Sequence, residues 1–381
     1  MSAFVIAAFV PLGIWLHLLL GRGMFWLARE RDDIEVLREP THWPSVTAIV
    51  PARNEGDVIA RSIGSLLAQD YPGALQIVLV DDQSEDGTGQ IARALDSSGK
   101  LTVVSGVPRP AGWTGKVWAM SQGVACATQQ CTPDYLWFTD ADIAHAPDNL
   151  RRLVARAEGH KLVLTSLMAK LSCVTPAERF FIPAFVYFFQ MLYPFAWVND
   201  PKSATAAAAG GCMLVQRDAL EAAGGIAAIR NAIIDDCALG RLMKSRGPIW
   251  LGLTERAVSI RPYPDMNSIR RMVARSAYAQ LNYSPLMLGG TLAGLLIIFV
   301  APLLLALLTP LAPLVRAAGA AAWLIMALTF IPMLRFYGRS FLWGLALPLI
   351  GTLYAAFTLD SAVQHWRGRG GMWKGRAHSV K

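Results

Sequence analysis

Four short acidic clusters hold the residues of this chain that could do chemistry. They are Pro51-Ala52-Arg53-Asn54-Glu55, Asp81-Asp82-Gln83-Ser84-Glu85-Asp86-Gly87-Thr88, Thr139-Asp140-Ala141-Asp142 and Asp235-Asp236-Cys237. Asp140 and Asp142 stand two apart, the spacing that turns side chains to one face of a strand. Two carboxylates on one face repel unless a cation sits between them, and hard oxygen donors suit Mg2+ or Mn2+ bridged to a diphosphate. The alternative is a turn with helix-capping aspartates. Asp81 and Asp82 close a predicted strand, where a carboxylate can accept from a base N–H or a ribose hydroxyl. An Asx-turn into Asp86-Gly87 is the structural alternative, and one aspartate can serve each role. Asp235 reads as the N-cap of a helix, which leaves Asp236 to act as general base on an acceptor hydroxyl. Gly112-Trp113-Thr114-Gly115-Lys116 is a glycine-rich loop ending in lysine before a helix, an arrangement that can hold phosphates. It lacks the GxxxxGK[ST] spacing, so an ATPase reading fails.

These clusters need a scaffold that brings loop ends together. Across residues 44–260, short β-branched runs alternate with helical patterns. Strands are expected at Val46–Val50, Leu75–Val80, Leu101–Val104, Tyr135–Thr139 and Leu162–Ser166. Helices are expected at Asp57–Gln69, Asp86–Leu95, Lys116–Thr128 and Asn149–Glu158. Such alternation predicts an α/β fold with parallel pairing, whose ligands bind at the carboxyl ends of the strands. Residues 180–198 break the pattern with an apolar, aromatic run interrupted by Pro183 and Pro194. It reads equally as a buried core helix or as a segment lying in a membrane interface.

Composition places this scaffold against a membrane. Of 381 residues, 54% are hydrophobic and only 16% charged. Soluble domains carry roughly 25% charged residues, so a fully soluble enzyme is disfavoured, and a disordered chain is excluded. The excess is concentrated at 3–20, 286–308, 312–334 and 341–359, each near the ~20 residues a bilayer core requires. No basic residue precedes the first run and no small-residue cleavage site follows it before Arg22, so it reads as an uncleaved anchor. The flanks carry Arg22, Arg29, Arg31 and Arg38 on one side and Arg261, Arg270, Arg271 and Arg275 on the other. Basic flanks mark the cytoplasmic side. Three full spans would put the basic tail on the opposite side. Either one block is re-entrant or the charge rule fails for the tail. The net charge of +8 suits an anionic membrane or a phosphorylated substrate. Nucleic acid is disfavoured, because no basic run is interleaved with aromatics. Five scattered cysteines without a CxxC pair imply neither disulfides nor zinc.

Together the four clusters resemble those of inverting family 2 glycosyltransferases with a GT-A fold. The likeness is nearer still to the hopene-associated glycosyltransferases of hopanoid clusters. It is carried by Gly112–Ala119, Trp137–Asp142, Phe189–Asn199, Ala209–Val215, Ile233–Leu239 and Arg270–Tyr278. The resemblance implies a nucleotide-sugar pocket formed by Pro51, Arg53, Glu55, Asp81 and Asp82. It also implies a divalent metal at Asp140 and Asp142, Asp142 most directly, and Lys116 facing the donor phosphates or sugar. Asp235 would lie in the donor site, Asp236 would be the base, and Arg271 or Arg275 would meet the departing diphosphate. For Arg270 and Arg271 the favoured alternative is juxtamembrane anchoring to anionic lipid. Processive relatives carry Gln-x-x-Arg-Trp. Aligning Arg275 with that arginine puts Met272 and Ser276 in place of Gln and Trp, which favours a single transfer.

The expected organisation is an anchor at 1–21, a basic linker at 22–43, a cytoplasmic GT-A domain at 44–260, a basic juxtamembrane segment at 261–284, membrane helices at 285–360 and a basic tail at 361–381. The expected partners are a nucleotide-sugar donor, UDP-linked on this family likeness, a hopanoid or other polyisoprenoid acceptor, and the bacterial inner membrane. Rival expectations are a polyprenyl-phosphate sugar synthase, a processive polysaccharide synthase, and a non-catalytic membrane scaffold.

Overall fold

The computed structural model describes residues 7–308 and 310–370. It divides into two compact units. Among the described residues, one holds Glu30–Ser172 and Trp197–Pro262; the other holds residues 7–29, Cys173–Ala196, 263–308 and 310–370.

The first unit is built on one eight-stranded sheet. Its strands are β1 (Val46–Ala52), β2 (Leu75–Asp81), β3 (Leu101–Ser105), β4 (Tyr135–Phe138), β5 (Ile143–His145), β6 (Leu164–Lys170), β7 (Met213–Gln216) and β8 (Ile249–Ser259). Their order is β3-β2-β1-β4-β7-β6-β8-β5. The first four strands in that order pair in parallel, as the β-branched runs and intervening helices predict. The expectation of parallel pairing throughout is corrected in the other half. There β4·β7, β6·β7 and β5·β8 are antiparallel, while β6·β8 is parallel. β1 is buried along its whole length. Pro51 lies beyond the last β1–β4 pair, Ile49 with Phe138, so its missing N–H falls where that ladder has ended.

Two helices matter for the site. Gly115–Gln130 packs against β1 at Gly123, where an added Cβ would stand 2.5 Å from Ile49 Cγ2. Asp235–Lys244 approaches the backbone of Ala207 at Gly240, where a Cβ would stand 2.6 Å from the Ala207 carbonyl carbon. Each glycine lets its helix lie closer to its neighbour than any other residue allows.

The second unit is helical and apolar. Pro285–Leu307, Pro313–Phe336 and Phe341–Trp366 are long and apolar enough to cross a membrane. The described part of the N-terminal run forms the shorter helix Val10–Leu20; residues 1–6 of the expected anchor and 371–381 of the expected tail lie outside the described residues. The segment at 180–198 falls largely in the helix Pro176–Leu192, which has a Thr175–Glu178 capping box. That helix clusters with the apolar helices and not with the sheet. Its Tyr187 hydroxyl is 2.8 Å from Thr329 Oγ1, and its Phe181 carbonyl accepts from Tyr354 Oη at 3.0 Å. Helix contacts in this unit use small residues: a Cβ on Gly319 would meet Leu305 Cβ at 2.6 Å and one on Gly351 would meet Phe299 Cγ at 2.5 Å, the close approach typical of membrane helices.

Candidate active site

The site residues sit where strands end. β1 delivers Arg53 and Glu55, both buried. Arg53 Nη1 donates to the Asp82 carbonyl at 2.5 Å and to Gln83 O at 3.1 Å, and lies 4.0 Å from Asp82 Oδ2. The two aspartates after β2 divide their work. Asp81 Oδ1 accepts from Ser84 N at 3.0 Å, three residues on, which ties down the turn after β2. Asp82 is 1% exposed and lies beside Arg53.

The strand geometry expected for Asp140 and Asp142 is corrected. β4 ends at Phe138, so both aspartates lie in the turn before β5. They face different cations. Asp140 Oδ1 is 2.8 Å from Lys116 Nζ, and Asp142 Oδ2 is 3.1 Å from Arg261 Nε.

Two ion clusters result. The first surrounds Lys116, the second residue of its helix, which also lies 3.1 Å from Asp235 Oδ2. Asp235 is not the N-cap its position in the sequence implied. Ile234 holds that place, and Asp235 is the first helical residue, turned to Lys116. Asp236 Oδ2 accepts from Gly210 N at 3.0 Å and Oδ1 from Cys237 N at 2.7 Å. A Cβ on Gly210 would stand 3.2 Å from Lys116 Nζ and 3.5 Å from Asp236 Oδ2, so glycine leaves open the space between base and lysine. Burial would lower the pKa of Lys116, but the carboxylates of Asp140 and Asp235 outweigh it and hold the ammonium above the usual lysine range. Burial, reinforced by the charge of Asp235, pushes the Asp236 carboxyl up to about 6 against the pull of Lys116.

The second cluster centres on Arg261. Its guanidinium pairs with Glu55, with Asp142 and, at 3.7 Å, with Asp57. Sequence reasoning missed Arg261 as a site residue because it was counted among the arginines flanking the membrane. Asp57 and Gly210 were missed as well. Glu55 is buried and so needs a cation beside it, but that burial is not visible in the sequence. Arg275 is not brought into this unit. It caps the helix Met266–Ala274 in the helical unit. Beside it, Arg270 pairs with Asp360 at 2.5 Å.

Among the described residues, no three His, Cys, Asp or Glu side chains converge as a ready-made metal cage. The donors nevertheless fit a cation shared with a substrate. Asp140 and Asp142 offer hard oxygens, and Mg2+ commonly takes one or two carboxylates and completes its shell with phosphate and water. Asp235 Oδ2, 3.1 Å from Lys116 Nζ, brings a further carboxylate oxygen to this corner of the site.

Residues 47–224 match the model of glycosyl transferase family 2. The matched stretch covers the first three acidic clusters and stops before Asp235 and Asp236. A 116-residue stretch is 33% identical to the succinoglycan biosynthesis protein ExoO of Rhizobium meliloti, covering 30% of each chain. Another, of 100 residues, is 37% identical to 4,4'-diaponeurosporenoate glycosyltransferase of Staphylococcus aureus, covering 26% of this chain and 24% of that one. The chain thus matches less than a third of the length of these relatives. Among solved structures, it is similar to mannosyltransferase PcManGT from Pyrobaculum calidifontis, in complex with GDP-Man and Mn2+. The TM-score is 0.53 at 21% identity, over 94% of this chain and 99% of that one. The fold of this unit is therefore of the GT-A type.

Proposed function

We propose that this protein is an inverting, metal-dependent glycosyltransferase that moves one sugar from a nucleotide-sugar donor to a membrane lipid alcohol, a hopanoid or related polyisoprenoid. The observation that carries the reading is the cluster of Asp236, Asp235, Asp140 and Lys116, together with the Arg53–Asp82 pair at the ends of β1 and β2. In this reading Asp82 and Arg53 line the base and ribose end, with Pro51, Glu55 and Asp81 shaping the same pocket. Lys116 exchanges its carboxylate partners for donor phosphate. Asp236 takes the proton of the acceptor hydroxyl as its oxygen bonds to the anomeric carbon, and the nucleoside diphosphate leaves from the opposite face. Asp140 and Asp142 would hold Mg2+ or Mn2+, which when bound neutralises charge on the leaving diphosphate. Arg275 is assigned to that diphosphate on the family resemblance alone.

Three findings support the reading. The family 2 match covers the donor half of the site. A relative is named a glycosyltransferase, and the fold neighbour is titled as a complex with a nucleotide sugar and Mn2+. The three apolar helices give a membrane attachment, and the basic flanks favour a cytoplasmic catalytic domain in the bacterial inner membrane. Incubation of purified protein with labelled nucleotide sugars and total membrane lipid, followed by mass spectrometry, tests the reading. A singly glycosylated lipid alcohol is expected. A polymeric product would support a processive synthase, a glycosylated polyprenyl phosphate would reassign the acceptor, and absence of transfer from every donor would favour a scaffold.

A further inference from the structure

A buried polar chain runs beneath the site and takes no part in the chemistry above. Its direction can be deduced from one carbonyl. Thr139 Oγ1 is 2.9 Å from Gly211 O, which can only accept, so the hydroxyl donates to it. The other carbonyl within reach, Asp140 O at 3.4 Å, can likewise only accept. Thr139 Oγ1 is also 2.8 Å from His145 Nε2. Its proton is already committed, so the hydroxyl accepts there and Nε2 carries the imidazole proton. Nδ1 is then a bare lone pair, and Asn149 Nδ2 meets it at 3.0 Å. Every bond points one way, from Asn149 through His145 and Thr139 to Gly211. Asn149 is 0%, Thr139 1% and His145 6% exposed, so water cannot substitute for a missing link.

This orientation turns Asn149 Oδ1 away from the histidine. That oxygen is buried and has no hydrogen-bond partner. It belongs to a residue lining a cavity together with Thr165, Arg152 and Arg156. Thr165 Oγ1, Arg152 Nε and Arg156 Nη2 are buried and unpartnered too. The space open to the centre of a water is about 10 Å³, near the minimum for one molecule. The donor and acceptor count of water matches this set: two lone pairs for the two guanidinium N–H groups and two protons for the asparagine and threonine oxygens. A small anion would instead face Asn149 Oδ1 and the buried Asp32, which also lines the cavity.

We propose that a single water in this cavity anchors the one-way chain Asn149–His145–Thr139–Gly211, and that the chain positions both halves of the active site. Thr139 adjoins Asp140. Gly211 adjoins Gly210, whose N–H holds Asp236 Oδ2. Thr139, His145 and Asn149 are thus positioning residues for the donor carboxylate and the base, and their catalytic importance rests on the glycosyltransferase reading.

The chain is tested on full-length protein in detergent with ¹⁵N-labelled histidine, the His145 signal being assigned by its loss in His145→Gln. The neutral Nε2–H tautomer is expected, unchanged between about pH 5 and pH 8. An Nδ1–H tautomer, or a ring that protonates in that range, overturns the chain. This readout needs no substrate, so it holds even if no sugar transfer is found. Positioning is tested by Thr139→Val against Thr139→Ser. Valine should lower kcat by roughly tenfold or more, with a smaller change in donor KM, and serine should restore most of it. Wild-type kcat in Thr139→Val, or equal loss in both variants, overturns positioning. The water is tested by a high-resolution density map, where a solvent peak within hydrogen-bond distance of Asn149 Oδ1 is expected and a dry cavity refutes it.

Discussion

At the residue scale the sharpest expectation concerns Asp236. As an acid whose pKa is raised to about 6, it must lose its proton to act as a base. The kcat/KM profile should therefore rise with pH through an inflection near that value and level off above it. A profile flat from acid to neutral pH would count against Asp236 as the base. The stability effect has the opposite sign to that of an ordinary paired carboxylate. Its folded pKa lies above the unfolded one, so its ionisation costs stability as pH rises through the interval between the two. Asp236→Asn gives up one backbone hydrogen bond to oxygen but removes a charge beside Asp235. It should lower kcat by roughly 10²–10⁴-fold while leaving the melting temperature nearly unchanged. Loss of the folded state would show that the residue is structural.

Much of the residue-level site was legible in the sequence. Asp82 and Asp140 were read from the rule that a parallel sheet puts its chemistry at strand ends, Lys116 from a glycine-rich loop before a helix and Asp236 from the head of a helix, none of which needs a distant contact. Arg261 was not legible: its partners Asp142 and Glu55 are 119 and 206 positions away. Thr139, His145 and Asn149 escaped for a related reason. Each is an ordinary polar residue until burial removes water and makes its partners obligatory.

At the scale of elements, reading was reliable where helix and strand alternate locally. The strands expected at Val46, Leu75, Leu101 and Tyr135 begin where the sequence pattern begins. β5 and β7 are three and four residues long, too short for periodicity to register, and their antiparallel pairing depends on distant partners. Placement of the Lys116 helix supplies a test. Ile49 is β-branched and fully buried, so it cannot yield to a side chain at Gly123. Gly123→Val should cost about 1–3 kcal/mol and lift the helix that carries Lys116, lowering both melting temperature and kcat. An unaltered kcat would mean that Lys116 tolerates displacement. Replacing the lysine itself probes the cluster's charge balance. Lys116→Met leaves Asp140 and Asp235 without their cation and should cost about 1–3 kcal/mol in chelator. Mn2+ should then raise the melting temperature of the variant more than that of the wild type. Equal shifts would show that lysine and metal do not share the same carboxylates.

At the scale of the whole molecule, composition already separated an apolar part from an α/β part, and both are present as compact units. The segment 180–198 shows where composition was insufficient. Its two rival readings could be separated only by seeing which helices cover Phe181, Tyr187 and Phe188. Two physical modes of membrane attachment remain distinguishable by experiment. Arginines at the flanks could bind anionic headgroups, an attraction that salt screens within a Debye length of ~8 Å at physiological ionic strength. The helices of 23, 24 and 26 residues instead span about 34–39 Å at 1.5 Å per residue, enough for a ~30 Å hydrocarbon core with some tilt. Leu304, Leu324 and Leu349 are all about half exposed, an arrangement unfavourable in water and natural in lipid. Transfer of such helices to water would cost far more than screening a few surface arginines. The chain should therefore stay with membranes through washes in high salt and alkaline carbonate, and leave only with detergent. Release by salt alone would show that the arginines hold it and that the apolar helices do not enter the bilayer.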